Sequence, residues 1–322
     1  MHHEFYEHLK SSRYLRIFCT LPVYYDDNYK PRPRFRQLRL LWFYGSALLL
    51  NFTMMLLAAA YIMNDRHIET TKVAVKLVKI GVTLNILVVT YRTSEEFTKC
   101  MNLILHHEEQ VEKWNATLQY SSVRILLVTK KIMILGTSLL VNLSCFLTEN
   151  TYMYCSVSFI TYNITYLISS IILTQFCGLI ITARQHLIVV NRQLIDIVTG
   201  RNVNNIQEAT QQLRKLMSYH YEICDLSRKI NEAFSAQLLL ITVRTFVEFF
   251  NSLHSMIKEE SHLLMLYDFF WSACALLEFI FMLFTCRRTS ETRNTFLLQL
   301  KHKYVEFSAK GVFPIDNKMF LN

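Results

Sequence analysis

The sequence predicts an all-α membrane protein, a polytopic helical bundle, and three observations support this fold class. Hydrophobic residues make up 52% of the 322 residues and charged residues only 18%, whereas a typical soluble domain has about 25% charged residues. Glycine (6) and proline (4) are scarce, which favours long uninterrupted helices. The charged residues are also segregated, because long apolar stretches alternate with segments rich in lysine and arginine.

Six apolar stretches approach the roughly 20 residues that a helix needs to cross the hydrocarbon core of a bilayer. The predicted spans cover about residues 40–63, 73–91, 130–148, 156–183, 234–257 and 263–286. The second span carries Lys76 and Lys79 near its start, which leaves only a short uncharged run after them. Its assignment therefore depends on the charges of the loops.

The basic residues of the loops support all six spans. With six spans, most basic residues collect on one side, in an amino-terminal arm (1–37), the loops 92–124 and 184–233, and a tail (287–322). The loops on the opposite side of the bundle (38–286) carry Arg66, Lys72 and Lys258. Since basic loops remain in the cytoplasm, the sequence predicts a cytoplasmic amino terminus, the inverse of G-protein-coupled receptors.

Two cytoplasmic segments continue the helical pattern of the neighbouring spans. Residues 183–198 extend the fourth span, with Leu187, Val190 and Leu194 at helical spacing. Residues 206–230 repeat this pattern and lead directly into the fifth span. We expect these two helices to project into the cytoplasm and to pack there against each other or a neighbour.

Several classes of function are not supported by any motif. The chain has no glycine-rich phosphate loop, nucleophile motif or paired catalytic carboxylates, so neither an enzyme nor a cofactor is predicted. The net charge of +9 is explained by the cytoplasmic loops rather than by nucleic-acid binding. The run His106–Glu109 lacks the spacing of a metal motif and predicts a solvated cytoplasmic helix; no metal is expected.

Ionisable residues within the spans are the first candidates for a site, because they are costly in lipid and face protein or water. Arg244 and Glu248 are four residues apart and can pair on one helical face. This pair is either a structural salt bridge or part of the lining of a ligand cavity. In the sixth span, Asp268 lies in the outer half and Glu278 in the inner half, so Asp268 is the better ligand candidate.

Aromatic residues concentrate toward the outer ends of the fourth to sixth spans. Most are explained by an interfacial belt or by core packing, but a small-molecule pocket also combines aromatic walls with a few polar groups. The candidate ligand-binding residues are Tyr162, Tyr166, Glu248, Asn251, His254, Asp268 and Trp271.

Two segments resemble a known family, the insect gustatory receptors, which are related to insect odorant receptors. The first is YHYEICDLSRKINEAFSAQLLL (219–240), which enters the fifth span. The second is LLQLKHKYVEFSAKGVFPIDN (297–317), which is similar to the segment before the family's last helix. Within it, residues of the family pattern are Val305, Glu306, Phe307, Ala309, Gly311, Phe313 and Asp316.

The resemblance implies a subunit of a ligand-gated cation channel with an inverted seven-span fold. It implies a small-molecule tastant, assembly with other receptor subunits into homo- or hetero-tetramers, contact with membrane lipids, and location in the plasma membrane of chemosensory neurons. The family's seventh helix lines the ion pathway and is expected to begin near Met319, so the 322-residue chain is expected to end before its pore helix.

Two alternatives remain open at the level of sequence. One is a small polytopic transporter, in which Arg244, Glu248, Asp268 and Glu278 are substrate or proton sites. The other is a nonconducting, modulatory subunit.

Overall fold

A computed structural model describes the following parts of the chain: residues 23–25, 31–33, 53, 70–114, 116, 118, 121, 125, 128–129, 132, 136, 152–198, 206–258, 262–297, 308–309 and 313–314. The predicted spans 40–63 and 130–148 lie almost entirely outside the described residues, as does most of the amino-terminal arm. Five of the family-pattern tail residues also lie outside them: Val305, Glu306, Phe307, Gly311 and Asp316.

The described residues are almost all helical, which confirms the predicted all-α fold class. The helices are α1 (Thr70–Arg92), α2 (Ser94–Lys113), α3 (Tyr152–Val198), α4 (Ile206–Lys258) and α5 (His262–Leu297). Two short antiparallel hairpins join β1 (Val23–Tyr25) to β2 (Pro31–Pro33) and β3 (Ser308–Ala309) to β4 (Phe313–Pro314). Two residues of the tail motif, Ala309 and Phe313, face each other in the second hairpin.

Helices α3 and α4 are much longer than a membrane is thick. They contain 47 and 53 residues, which at about 1.5 Å per residue corresponds to roughly 70 and 80 Å. A bilayer core is only about 30 Å thick. Within the described residues, two stretches are long and apolar enough to cross it, Tyr166–Ile197 and Thr210–His254. Both helices therefore have enough length to cross a bilayer and to extend well beyond it.

Helices α1 and α2 meet at Thr93 with little interruption of the helical hydrogen bonds. The amide of Thr93 donates to the carbonyl of Val89 (2.9 Å), and the amide of Phe97 donates to the carbonyl of Thr93 (3.0 Å). The side-chain amide of Gln237 on α4 is hydrogen-bonded to the Thr93 hydroxyl at 3.0 Å. This contact holds the junction of α1 and α2 against α4.

The larger hydrophobic core is formed by all five helices. Phe234 of α4 lies near its centre, with its ring centroid 5.6 Å from that of Phe97 on α2 and 5.6 Å from that of Phe176 on α3. Helix α1 contributes Ile86, and α5 contributes Met282. All five side chains are at least 95% buried, so this core holds the helices in one arrangement.

A second core lies toward the carboxyl-terminal end of α3 and the amino-terminal half of α4. Leu187 and Val190 of α3 pack with Leu216 and Ile223 of α4, and α2 adds Val111. The helical spacing of these apolar residues explains why α3 and α4 remain packed together beyond the predicted spans. Helix α2 is held against them by the same cluster.

Candidate functional site

Helices α3, α4 and α5 bring charged and hydroxyl side chains together at one end of the larger core, next to Ile241 of α4 and Phe279 of α5. We call this group the polar network, and its members are Tyr166, Ser169, Ser170, Arg244, Glu248 and Glu278. All six side chains are at least 95% buried. The hydrogen bonds form two groups, one around Arg244 (α4 to α3) and one around Glu278 (α5 to α3), which meet at the consecutive residues Ser169 and Ser170 of α3.

Arg244 and Glu248 form a salt bridge one helical turn apart on α4. The Nε and Nη2 atoms of Arg244 both donate to Oε1 of Glu248, at 3.0 and 2.9 Å. The remaining nitrogen, Nη1, donates to the hydroxyl of Ser169 on α3. A buried charge is tolerated only when it is paired and its other hydrogen-bonding groups are satisfied, and this geometry meets both conditions while linking α4 to α3.

Glu278 connects α5 to α3. Its Oε1 atom accepts hydrogen bonds from the hydroxyl of Tyr166 (2.9 Å) and from the hydroxyl of Ser170 (2.6 Å). Tyr166 and Ser170 are four residues apart, so they lie on the same face of α3. Sequence reasoning favoured Asp268 over Glu278 and did not single out the two serines. The sequence feature that could have indicated a shared hydrogen-bond partner is the i, i+4 spacing of Tyr166 and Ser170.

The other predicted ligand-binding residues lie outside this network or outside the described side chains. Asn251 is half-buried and His254 is exposed, three and six residues after Glu248 on α4. Tyr162 lies on α3, whereas Asp268 and Trp271 lie on α5, and the side chains of these three residues are outside the described part of the chain. The structure therefore brings Tyr166 and Glu248 into one network.

The prediction that residues 106–109 form a solvated segment is wrong for two of the four. His107 is 2% exposed and Glu108 is 7% exposed, whereas His106 and Glu109 are exposed. The reason is that α2 packs one face against α3 and α4, and this face includes His107 beside Tyr219, with ring centroids 5.2 Å apart. No group of three metal-ligating side chains suited to a metal ion occurs among the described residues.

Comparison with known proteins identifies the family. The sequence pattern of the family described as 7tm chemosensory receptor matches residues 11–295 of this chain. The chain belongs to the 7tm chemosensory receptor family. It is accordingly a membrane protein, and the two apolar stretches on α3 and α4 agree with that. No curated protein matches the receptor by sequence.

The fold of the receptor is similar to that of an insect olfactory receptor of known structure. The insect olfactory receptor OR5 from Machilis hrabei superimposes on it with a TM-score of 0.64 at 7% sequence identity. The superposition covers 98% of this chain and 95% of the OR5 chain. At this identity the likeness concerns the fold alone, and it confirms the helical bundle of the insect seven-span receptors.

Proposed function

We propose that this protein is a gustatory receptor subunit, a ligand-gated cation channel component that responds to small-molecule tastants. Membership in the 7tm chemosensory receptor family supports a chemoreceptor, and the resemblance of residues 219–240 to insect gustatory receptors supports taste rather than smell. The receptor acts in the plasma membrane of chemosensory neurons, with its amino terminus in the cytoplasm. It assembles with other receptor subunits into a homo- or hetero-tetramer.

The observation that carries this proposal is the polar network that connects three helices. A ligand opens a channel only if it binds the open arrangement of helices better than the closed one. The hydrogen bonds from Arg244 to Ser169 and from Tyr166 to Glu278 span the contacts of α3 with α4 and α5. A movement of α3 relative to its neighbours must therefore break or exchange these bonds, which gives the bundle discrete arrangements that a ligand can select.

The ligand binds on the outer side of this network in our proposal. Asn251 and His254 follow Glu248 along α4 in the direction of the outer surface, and Tyr162, Asp268 and Trp271 complete the proposed pocket on α3 and α5. Asn251 and His254 have accessible side chains, so they are the proposed direct contacts. Tyr166 and Glu248 form the floor of the proposed pocket. Because both are members of the polar network, they couple ligand binding to the other residues of the network.

The experiment is whole-cell recording from cells that express the receptor with candidate partner subunits during application of a tastant panel. Glu278→Gln keeps an acceptor for Tyr166 and Ser170 but removes the charge. We expect this variant to shift the ligand concentration for half-maximal current by about fivefold or more, the usual range for coupled sites. The matched control is Glu291→Gln, at an exposed position of the same helix where Glu291 pairs with Arg287.

The comparison is made at equal surface expression of the three receptors. An unchanged response of Glu278→Gln would contradict the role of the network in gating. Uptake that requires a gradient of a coupling ion, without channel current, would contradict the channel itself and favour a transporter.

A further inference from the structure

Two buried histidine rings meet where α2 packs against α3 and α4. His107 of α2 and His186 of α3 have ring centroids 6.1 Å apart. The ring of Tyr219 on α4 lies 5.2 Å from the first and 6.3 Å from the second. His107 is 2% exposed and His186 is fully buried. This histidine pair takes no part in the polar network or in the proposed ligand pocket.

The hydrogen bonds around Tyr219 determine the protonation of His186. The Tyr219 hydroxyl donates its only proton to the carbonyl of His107 at 3.1 Å. Its oxygen lies 2.9 Å from Nδ1 of His186, so it accepts a hydrogen bond from that nitrogen. Since Nδ1 carries the proton of the neutral ring, Nε2 of His186 has a free lone pair, and it is buried without a hydrogen-bond partner.

His107 also has a buried nitrogen that lacks a hydrogen bond. Its Nδ1 atom has no hydrogen-bond partner, and the nearest carboxylate oxygen, Oε2 of Glu222 on α4, is 4.0 Å away. This distance is too long for a hydrogen bond. At this distance Glu222 would stabilise a proton on the His107 ring only weakly, and burial of the ring disfavours the charge more strongly.

The ionisable groups that face His107 come from all three helices. They are His106 and Glu108 on α2, His186 on α3, and Tyr219, Glu222 and Lys229 on α4. Burial is the largest influence and lowers the pKa of His107 below its usual value of 6.5, with smaller contributions in the same direction from His106 and Lys229. Glu222 and a hydrogen bond with the Gln110 side chain raise the pKa of His107, but together they do not overcome the effect of burial.

We propose that the histidine pair makes the packing of α2 against α3 and α4 sensitive to protons. This packing contact, which we call the joint, loosens when the compartment that surrounds it becomes more acidic. A proton is the expected ligand of this pair because the described residues offer no third side chain placed for a metal ion. The assignment of that compartment to the cytosol rests on the topology in the proposed function. The proton sensitivity of the joint rests on the contacts alone.

The direction of the effect follows from linkage. When α2 is packed, the pKa of His107 is below 6.5; when α2 is released into water, the ring regains its usual value. Packing is then independent of pH above about 6.5 and weakens as the pH falls below it, since only the released state binds the proton. For one proton, the equilibrium between packed and released α2 changes by at most about tenfold per pH unit.

The test is hydrogen–deuterium exchange of the full chain in detergent micelles at pH 7.5, 6.5 and 5.5, with labelling times corrected for intrinsic exchange. We expect protection of the α2 amides (Ser94–Lys113) to change little between pH 7.5 and 6.5 and to fall up to about tenfold between 6.5 and 5.5. Amides of α5 near Met282 serve as the internal reference for folding. This measurement requires neither ligand nor current, so its failure is distinct from failure of the proposed function.

Adjacent variants on α2 separate the buried ring from the exposed one. His107→Phe keeps an aromatic ring and removes the titration, so α2 protection is expected to become independent of pH. His106→Gln is the matched control, because His106 is exposed and its ring bonds to the Gln110 side chain; it is expected to retain the full response. If His107→Phe does not fold, a response shared by wild type and His106→Gln still supports the joint.

Three outcomes would overturn the proposal. One is pH-independent protection of α2 in the wild type between pH 6.5 and 5.5. Another is the same pH response in folded His107→Phe as in the wild type. The third is loss of the response in His106→Gln, which would assign it to the exposed ring.

Discussion

At the scale of single residues, the Arg244–Glu248 pair determines how charge is accommodated inside the bundle. Both side chains are almost completely buried, so each is stabilised by the other and by the hydroxyl of Ser169. A buried pair contributes little net stability compared with apolar packing, but removal of one partner leaves an uncompensated charge. The pair therefore acts mainly to specify how α4 sits against α3.

Truncation of one partner tests this interpretation. We expect Arg244→Leu to lower stability by about 3–5 kcal/mol, the usual cost of breaking a buried pair. Arg228→Leu is the control on the same helix, because Arg228 is 59% exposed in its salt bridge with Asp225 and an exposed pair contributes about 0–1 kcal/mol. The measurement is the thermal unfolding midpoint in detergent, together with surface expression.

A variant in which the charges of Arg244 and Glu248 are exchanged extends the same unfolding experiment. The double variant Arg244→Glu, Glu248→Arg restores opposite charges one turn apart but moves the guanidinium away from Ser169. We expect it to recover part of the stability lost in Arg244→Leu. Equal unfolding midpoints for Arg244→Leu and Arg228→Leu would argue against a buried pair.

At the scale of elements, α4 organises the structure because its two faces have different partners. One face is buried and includes Leu238, Ile241 and Glu248, at spacings that are multiples of a helical turn. The opposite face exposes large apolar side chains: Val243, Phe246, Phe250, Leu253 and Ile257. In a membrane receptor such a face lies against lipid or a neighbouring subunit, so its exposure is compatible with a stable helix.

Replacing a buried and an exposed phenylalanine of α4 by alanine is predicted to reduce stability by different amounts. Phe234 packs between Phe97 and Phe176, so we expect Phe234→Ala to cost about 3–5 kcal/mol of stability because it leaves a cavity. Phe250 is 64% exposed, and Phe250→Ala is expected to cost less than about 1 kcal/mol since no cavity forms. Thermal unfolding of the two purified variants in detergent compares them directly. Similar losses of stability would mean that α4 presents a different face to the bundle.

Sequence periodicity anticipates the helical character of these elements but not their partners. The run of apolar residues predicts that α3 extends to residue 198, and the structure ends this helix at Val198. The periodicity does not predict that His107 and Glu108 of α2 are buried in the packed structure. Adjacent histidines and glutamates have the composition of a solvated helix, and their burial depends on a neighbouring surface more than 70 residues away in sequence.

At the scale of the whole molecule, orientation in the membrane follows from the basic loops. Residues 199–205 connect α3 to α4 at the end that we assign to the cytoplasm. Epitope tags at the amino terminus and after Asn204 are therefore expected to be protected in intact cells, and a tag after Thr151 is expected to be accessible. The readout is antibody labelling before and after permeabilisation. An amino-terminal tag that is labelled in intact cells would contradict the proposed topology.

The sequence by itself determined the class of this protein. Composition, the scarcity of glycine and proline, and the segregation of charge specify a bundle of long apolar helices, because each of these properties depends on local solvation and helix propensity. The spacing of Arg244 and Glu248 was also sufficient to place both side chains on one face, since a salt bridge within one helix needs no information about other helices.

Only the tertiary structure decided which side chains from different helices meet. Tyr166 and Ser170 bond to Glu278 across 112 and 108 residues, and His107 approaches His186 only because α2 packs on α3. Helical periodicity fixes the direction of each side chain around its own axis, but it leaves the rotation, depth and crossing of neighbouring helices undetermined. Packing of the apolar cores sets these quantities, and it thereby creates both the polar network and the histidine pair.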